Sequence, residues 1–232
     1  MNMISPKACL FDLDGLLIDS EPLHSEVWGK TTASFGSSLS IKQLDFLRGR
    51  RRDECVKQIL EWTNLDIEPE KFLFKHKFFY RELLNKTDEI KGAEELVRWC
   101  ASNNVPMALV TSSSSESVNF KSEPHKWLNL IKIRVLGDDN ELKRGKPAPD
   151  PFLLGAKRLN VDPKCCWAFE DSNAGISAAL AAGCQVWQLI STKEIKKRKE
   201  DILKNNIYQI NHLETALNEL KNKWKTNINK DD

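Results

Sequence analysis

The 232 residues are 41% hydrophobic and 29% charged, the balance of a globular chain rather than a disordered or fibrous one, and the length allows a core plus a smaller companion, since domains cluster near ~100–150 residues. Thirty-five Lys and Arg against 33 Asp and Glu leave a net charge of +2, so bulk charge gives no argument for nucleic acid or an anionic membrane, and an anionic ligand would need a local site. No apolar run approaches the ~18 residues needed to cross a bilayer, and the first seven residues carry no long apolar stretch, so neither export nor anchoring is expected.

The first element in the chain is a short apolar run, Ala8–Phe11, which reads as a strand buried on both faces. It ends in Asp12-Leu13-Asp14-Gly15. Residues two apart on an extended chain point the same way, so both carboxylates aim at the strand's mouth, and Gly15 lets the backbone turn away. Two acids facing one small volume repel unless a cation or a shared proton relieves them, which suits a metal site or a division between nucleophile and acid/base. A calcium loop is the weaker reading, because Leu17 stands sixth, where an EF-hand loop needs Gly. A pair of acidic turn residues without chemistry is the plain alternative.

Residues 21–86 have apolar positions at helical intervals and no strand-like run. They predict several helices inserted after the first strand, a candidate lid over the edge where open α/β sheets bind ligands. A helix is then expected over 92–103 and a strand over 106–110, closed by Thr111, Ser112, Ser113, Ser114 and Ser115. Hydroxyls and the free amides of a following helix can cradle a phosphate there, although Ser and Thr at a helix start often serve only as caps. An alternating run over 131–136 reads as a further strand.

Gly145-Lys146-Pro147-Ala148-Pro149-Asp150 puts a lysine in a stretch stiffened by prolines. No Walker-type loop is present, since Asn140 stands where its first Gly belongs. A helix over 150–160 leads to a strand over 166–169 that ends in Glu170-Asp171-Ser172, a second acid pair opening the Ala-rich helix Asn173–Ala182. A last strand is expected over 185–190. The polar stretches 193–204 and 221–232 read as solvated helix faces and a frayed tail. Strand and helix alternate, which implies an α/β fold with a parallel sheet and helices on both faces. The six cysteines, Cys9, Cys55, Cys100, Cys165, Cys166 and Cys184, form no CxxC pair and lie mostly in apolar runs, so reduced thiols and a cytoplasmic location are expected.

Acid pair, hydroxyl, lysine and second acid pair, each at or near a strand end and in this order, resemble the haloacid-dehalogenase superfamily, in particular its β-phosphoglucomutase-like sugar-phosphate phosphatases and mutases, over roughly residues 7 to 190. The resemblance implies a Rossmann-like core, residues 1–19 and 88–232, with a helical cap, residues 20–87. It implies Asp12 as nucleophile, Asp14 as acid/base, and Thr111 and Lys146 as ligands of the transferred phosphoryl group. Mg²⁺ would be held by Asp12, the backbone carbonyl of Asp14 and Asp171, with Glu170 beside it as a ligand or through water. Ser112, Ser113 and the cap residues His24 and Arg52 would face the substrate, a small phosphorylated metabolite, in a monomer or weak dimer. The mutase relatives carry a Lys shortly after the residue matching Thr111, where this chain continues with serines, and Ser20 replaces a Thr; both departures favour hydrolysis over isomerisation. Mutase and idle ligand-binding relative remain the alternatives.

Overall fold

The computed structural model describes residues 3–83, 87–190 and 206–228. After β1 (Ala8–Phe11) come four helices in succession, α1 (Glu21–Ala33), α2 (Ile41–Leu47), α3 (Arg52–Thr63) and α4 (Pro69–Leu83). The chain continues through α5 (Ala93–Ser102), β2 (Met107–Val110), α6 (Ser115–Ser122), a 3-10 turn (Lys126–Leu130), β3 (Ile133–Val135) and α7 (Asp150–Arg158). It ends with β4 (Cys166–Glu170), α8 (Asn173–Ala182), β5 (Gln185–Leu189), β6 (Ile207–Ile210) and α9 (Leu213–Ile228). The strands form one sheet in the order β3-β2-β1-β4-β5-β6, with every neighbouring pair parallel. Connections leave β1 towards β2 on one side and reach β4 on the other, so a crevice opens at the C-terminal ends of β1 and β4, the topological switch point where such sheets bind ligands.

Each central strand is buried on both faces, and alternation sorts its side chains between two cores. Cys9, Phe11, Leu109, Trp167, Phe169 and Trp187 face the layer built by α5 and α9. Ala8, Leu10, Ala108, Val110, Ala168 and Val186 face α7 and α8. The first face is aromatic, with Phe11 and Phe169 stacked at 4.7 Å between centroids. The second is lined with small residues that let the helices come close; a methyl on Gly155 of α7 would lie 2.9 Å from Val110 Cγ2. The four helices α1–α4 pack around an apolar cluster of their own, including Trp28, Leu47, Val56, Ile59 and Phe72.

Two elements were not expected from the sequence: strand β6, and helix α9, which buries Leu213, Ala216, Leu217 and Leu220 against the core and runs on to Ile228 through the start of the stretch read as a solvated helix face. These positions follow an i, i+3, i+4, i+7 stripe that the intervening charges obscure. The stretches 193–204 and 229–232, with Leu84 and Lys86 of the expected helical insertion, lie outside the described residues. No helix among the described residues is long and apolar enough to cross a membrane.

Candidate active site

Asp12 follows β1 directly and is 3% exposed, its backbone N–H donating to Phe169 O on β4 at 3.1 Å. The chain then turns tightly: Gly15 takes φ +78°, its N–H bonds Ile18 O at 2.8 Å, and Leu13, Leu16, Leu17 and Ile18 are fully buried. This apolar anchor fixes the loop that carries Asp14. Lys146 arrives from the loop before α7 and is fully buried; its Nζ donates to Asp12 Oδ1 at 2.6 Å, Glu170 Oε1 at 2.5 Å and Val110 O at 2.9 Å. Glu170 ends β4, and its other oxygen accepts from the Asp171 N–H at 3.2 Å and the Ser172 hydroxyl at 3.1 Å. Helix α8 starts hard against this carboxylate, which is why a glycine stands at 175: a Cβ there would lie 1.9 Å from Glu170 Oε1.

Asp12, Glu170 and Asp171 each offer an oxygen to a group whose members lie within 4.8 Å of one another. The fit to a divalent cation is tested by the charge balance. Burial pushes Asp12 up to about 7, and Lys146 offsets this only in part because Glu170 and Asp14 add negative charge. Burial likewise raises Glu170 despite Lys146. Among the described residues three carboxylates, Asp12, Glu170 and Asp171, share the Lys146 ammonium and the Arg48 guanidinium, and their all-oxygen donor set is the kind that Mg²⁺ takes, so the residues fit that ion. Arg48 of the α2–α3 loop approaches from the helical insertion and donates to Asp171 Oδ2 at 2.6 Å.

The Asp14 carboxylate is not part of this cluster. Its Oδ1 accepts from Ser20 Oγ and Lys121 Nζ and lies 3.1 Å from His24 Nε2, while Oδ2 accepts from Ser113 Oγ at 2.7 Å. Burial alone would raise its pKa, but Lys121 and His24 hold the carboxyl well below the usual carboxylate range. Burial in turn keeps His24 below the ordinary imidazole value in spite of Asp14. The two aspartates therefore sit in separate environments, two residues apart.

Thr111 closes β2, 2% exposed, its hydroxyl accepting from the Ser113 N–H at 3.1 Å. Ser112 donates to Gly49 O at 2.8 Å, tying β2 to the α2–α3 loop, and Ser114 is the N-cap of α6, with its side chain accepting from Ser117 N–H. A cavity of about 490 Å³ is bounded by Asp12, Asp14, Thr111, Ser112 and Ser113 on the sheet side and by His24 and Arg52 on the other. Arg52 begins α3 and holds its guanidinium 4.9 Å over the Tyr80 ring. Thus Asp12, Asp14, Thr111, Ser112, Ser113, His24 and Arg52 meet at one cavity, with Lys146, Glu170 and Asp171 beside or beneath Asp12. Two neighbours were not singled out in the sequence. Arg48 opens an arginine-rich run, Arg48 to Arg52, that has no motif of its own, and Lys121 stands in the last turn of α6, where its only sequence signal is a charge beside Phe120.

The family model of haloacid dehalogenase-like hydrolases matches residues 6–183. A Drosophila melanogaster protein described as a probable pseudouridine-5'-phosphatase is 34% identical over 77% of this chain and 79% of its own length. A fructose-1-phosphate phosphatase of Escherichia coli strain K12 is 31% identical over 75% of this chain and 91% of its own. Among solved structures, a β-phosphoglucomutase from Clostridium difficile superimposes with a TM-score of 0.77 at 25% identity, covering 97% of this chain and 99% of that one.

Proposed function

The chain belongs to the haloacid dehalogenase-like hydrolases, and from that membership we propose that it is a Mg²⁺-dependent phosphomonoesterase acting on a small phosphorylated metabolite, a sugar phosphate in the first instance. The observation that carries the reading is the separation of the two aspartates: Asp12 lies against Lys146 and the acidic cluster, whereas Asp14 is held by hydroxyls, His24 and Lys121. One can attack while the other handles protons.

Asp14 rests as a carboxylate and takes the proton of the monoanionic ester; as Asp12 attacks phosphorus and the bond from phosphorus to the ester oxygen breaks, Asp14 passes that proton to the departing alkoxide. Asp14 then takes a proton from water as the water oxygen attacks the phosphorus on Asp12, the Asp12 carboxylate is restored, and inorganic phosphate carries the proton away as it leaves. Thr111 and Lys146 bind the transferred oxygens, a job of positioning and charge neutralisation more than of covalent chemistry. Asp12, Glu170, Asp171 and the Asp14 carbonyl would hold Mg²⁺, which supplies positive charge opposite the phosphoryl oxygens and keeps Asp12 ionised. Residues 20–87 act as a cap over a core of 1–19 and 88–232, with the Arg48–Asp171 and Ser112–Gly49 contacts at the seam and His24 and Arg52 facing the substrate. Closure excludes bulk water while admitting one attacking molecule.

A phosphosugar mutase is the second reading, favoured by the similarity to β-phosphoglucomutase. Lys121 speaks for hydrolysis: it does not line the cavity, its ammonium being spent on Asp14 and Ser113, so it offers no second phosphate grip. The deciding experiment is phosphate release with and without Mg²⁺ across sugar and small-metabolite monophosphates, beside conversion of β-glucose 1-phosphate to glucose 6-phosphate with a bisphosphate primer. Metal-dependent release supports the phosphatase. Isomerisation without net release would make the chain a mutase, and inactivity in both assays would favour an idle relative.

A further inference from the structure

Among the described residues two lysines are essentially fully buried, Lys146 and Lys121. Each meets one aspartate of the Asp-x-Asp pair: Lys146 bonds Asp12, and Lys121 bonds Asp14. Lys121 Nζ also donates to Ser113 Oγ at 2.8 Å, and Ser113 Oγ donates to Asp14 Oδ2 at 2.7 Å, so ammonium and hydroxyl together hold both oxygens of one carboxylate. A buried ammonium is expensive unless it is paired and hydrogen-bonded, and this one spends its charge on Asp14. Helix α6 holds the lysine in place. Ser114 caps its start, Tyr80 of α4 shares a hydrogen bond with Ser117 one turn before Lys121, and Lys77 of α4 pairs with Glu116 at 2.8 Å.

Resting on the phosphomonoesterase reading above, we infer that Lys121 is a positioning residue that fixes the Asp14 carboxylate in the orientation from which it exchanges a proton with the ester oxygen. Without it, Asp14 keeps Ser20, His24 and Ser113 as partners but loses the charged donor and the group that orients Ser113. An alkoxide leaving group needs the Asp14 proton, and a nitrophenolate leaves without one. The cost of losing Lys121 therefore falls on alkyl esters and largely spares aryl esters.

The test compares kcat/KM of the full chain with Mg²⁺ on p-nitrophenyl phosphate and on the alkyl phosphate hydrolysed fastest in the panel above. Asp14→Asn is the reference and should lower the alkyl-to-aryl ratio by about 10²-fold or more, the scale of general acid catalysis. An unmoved ratio in Asp14→Asn would remove Asp14 as the acid and the premise with it. Lys121→Met is expected to lower the ratio at least ~10-fold with KM for the aryl ester unchanged, Lys121→Gln to lower it less, and the Asp14→Asn/Lys121→Met pair to match Asp14→Asn alone, since residues acting as a unit are not additive. Ser122→Ala, on the same helix and buried, should leave the ratio at the wild-type value. The inference is overturned if Asp14→Asn shifts the ratio while Lys121→Met depresses both esters equally. It is also overturned if Lys121→Met fails to fold and Lys121→Gln, folded, keeps the wild-type ratio, or if neither variant folds, which would make Lys121 a purely structural residue.

Discussion

Gly175→Ala sets propensity against packing. In the first turn of α8, helix propensity alone favours Ala over Gly by up to about 1 kcal/mol. A Cβ at 175, however, falls 1.9 Å from Glu170 Oε1 and 2.0 Å from its Cδ. Glu170 is fully buried, bonded to Lys146 at 2.5 Å and to Ser172 at 3.1 Å, so its end has nowhere to swing. Forcing extra volume into a packed interior costs about 1–3 kcal/mol, and displacing the carboxylate also weakens a buried ion pair whose loss leaves Lys146 under-partnered. The net expectation is a loss of about 1–2 kcal/mol in spite of the better helix former. Urea unfolding followed by the fluorescence of the buried Trp167 and Trp187 reads the stability, and a Mg²⁺ titration of phosphate release reads the cluster, with the activating concentration rising ~10-fold or more. A variant as stable as the wild type, with an unchanged Mg²⁺ requirement, would refute the claim that α8 is docked on Glu170.

Asp12→Asn should abolish turnover while leaving the far-ultraviolet spectrum intact; substantial remaining phosphate release would remove Asp12 as nucleophile. Chelation with EDTA should silence the enzyme and added Mg²⁺ restore it, and activity that survives exhaustive chelation would sink the metal assignment. Gly49→Ala places a Cβ 2.1 Å from Ser172 Oγ at a φ of +73°, so the α2–α3 loop should lose its seat; KM is expected to rise several-fold with the sheet still folded, and unchanged kinetics would count against that seam. His76, 1% exposed and packed on Trp28 at 4.0 Å, is held well below the ordinary imidazole value by burial, with Arg52 and His24 adding to the shift. The unfolded chain then binds the extra proton, so stability is full above about pH 6.5 and falls as the pH drops below it. His76→Phe should flatten that acid-side slope in thermal melts between about pH 5 and 6.5, and an unaltered slope would assign it to other groups.

Local pattern was enough for five of the six strands, the helices α5, α7 and α8, the helical nature of the insertion and the motif residues that meet at the cavity. Each buried parallel strand is a short apolar run, and the acids, hydroxyls and Lys146 stand where those runs end or nearby. β6 follows a polar stretch with only a short apolar signal, and the apolar stripe of α9 is interspersed with Glu214 and Glu219 and followed by lysines, so both became visible only when the sheet edge was in place. What tertiary structure alone decided is which charge serves which acid. The sequence places Asp12 and Asp14 side by side, but nothing local says that Lys146, 134 positions on, takes the first and Lys121, 107 positions on, takes the second. Nor does it say that Arg48 reaches Asp171 across 123 positions. Such pairings depend on the crossovers that bring β2 and β4 to either side of β1. Charge complementarity acts through space, over distances of a few ångströms that chain separation does not encode.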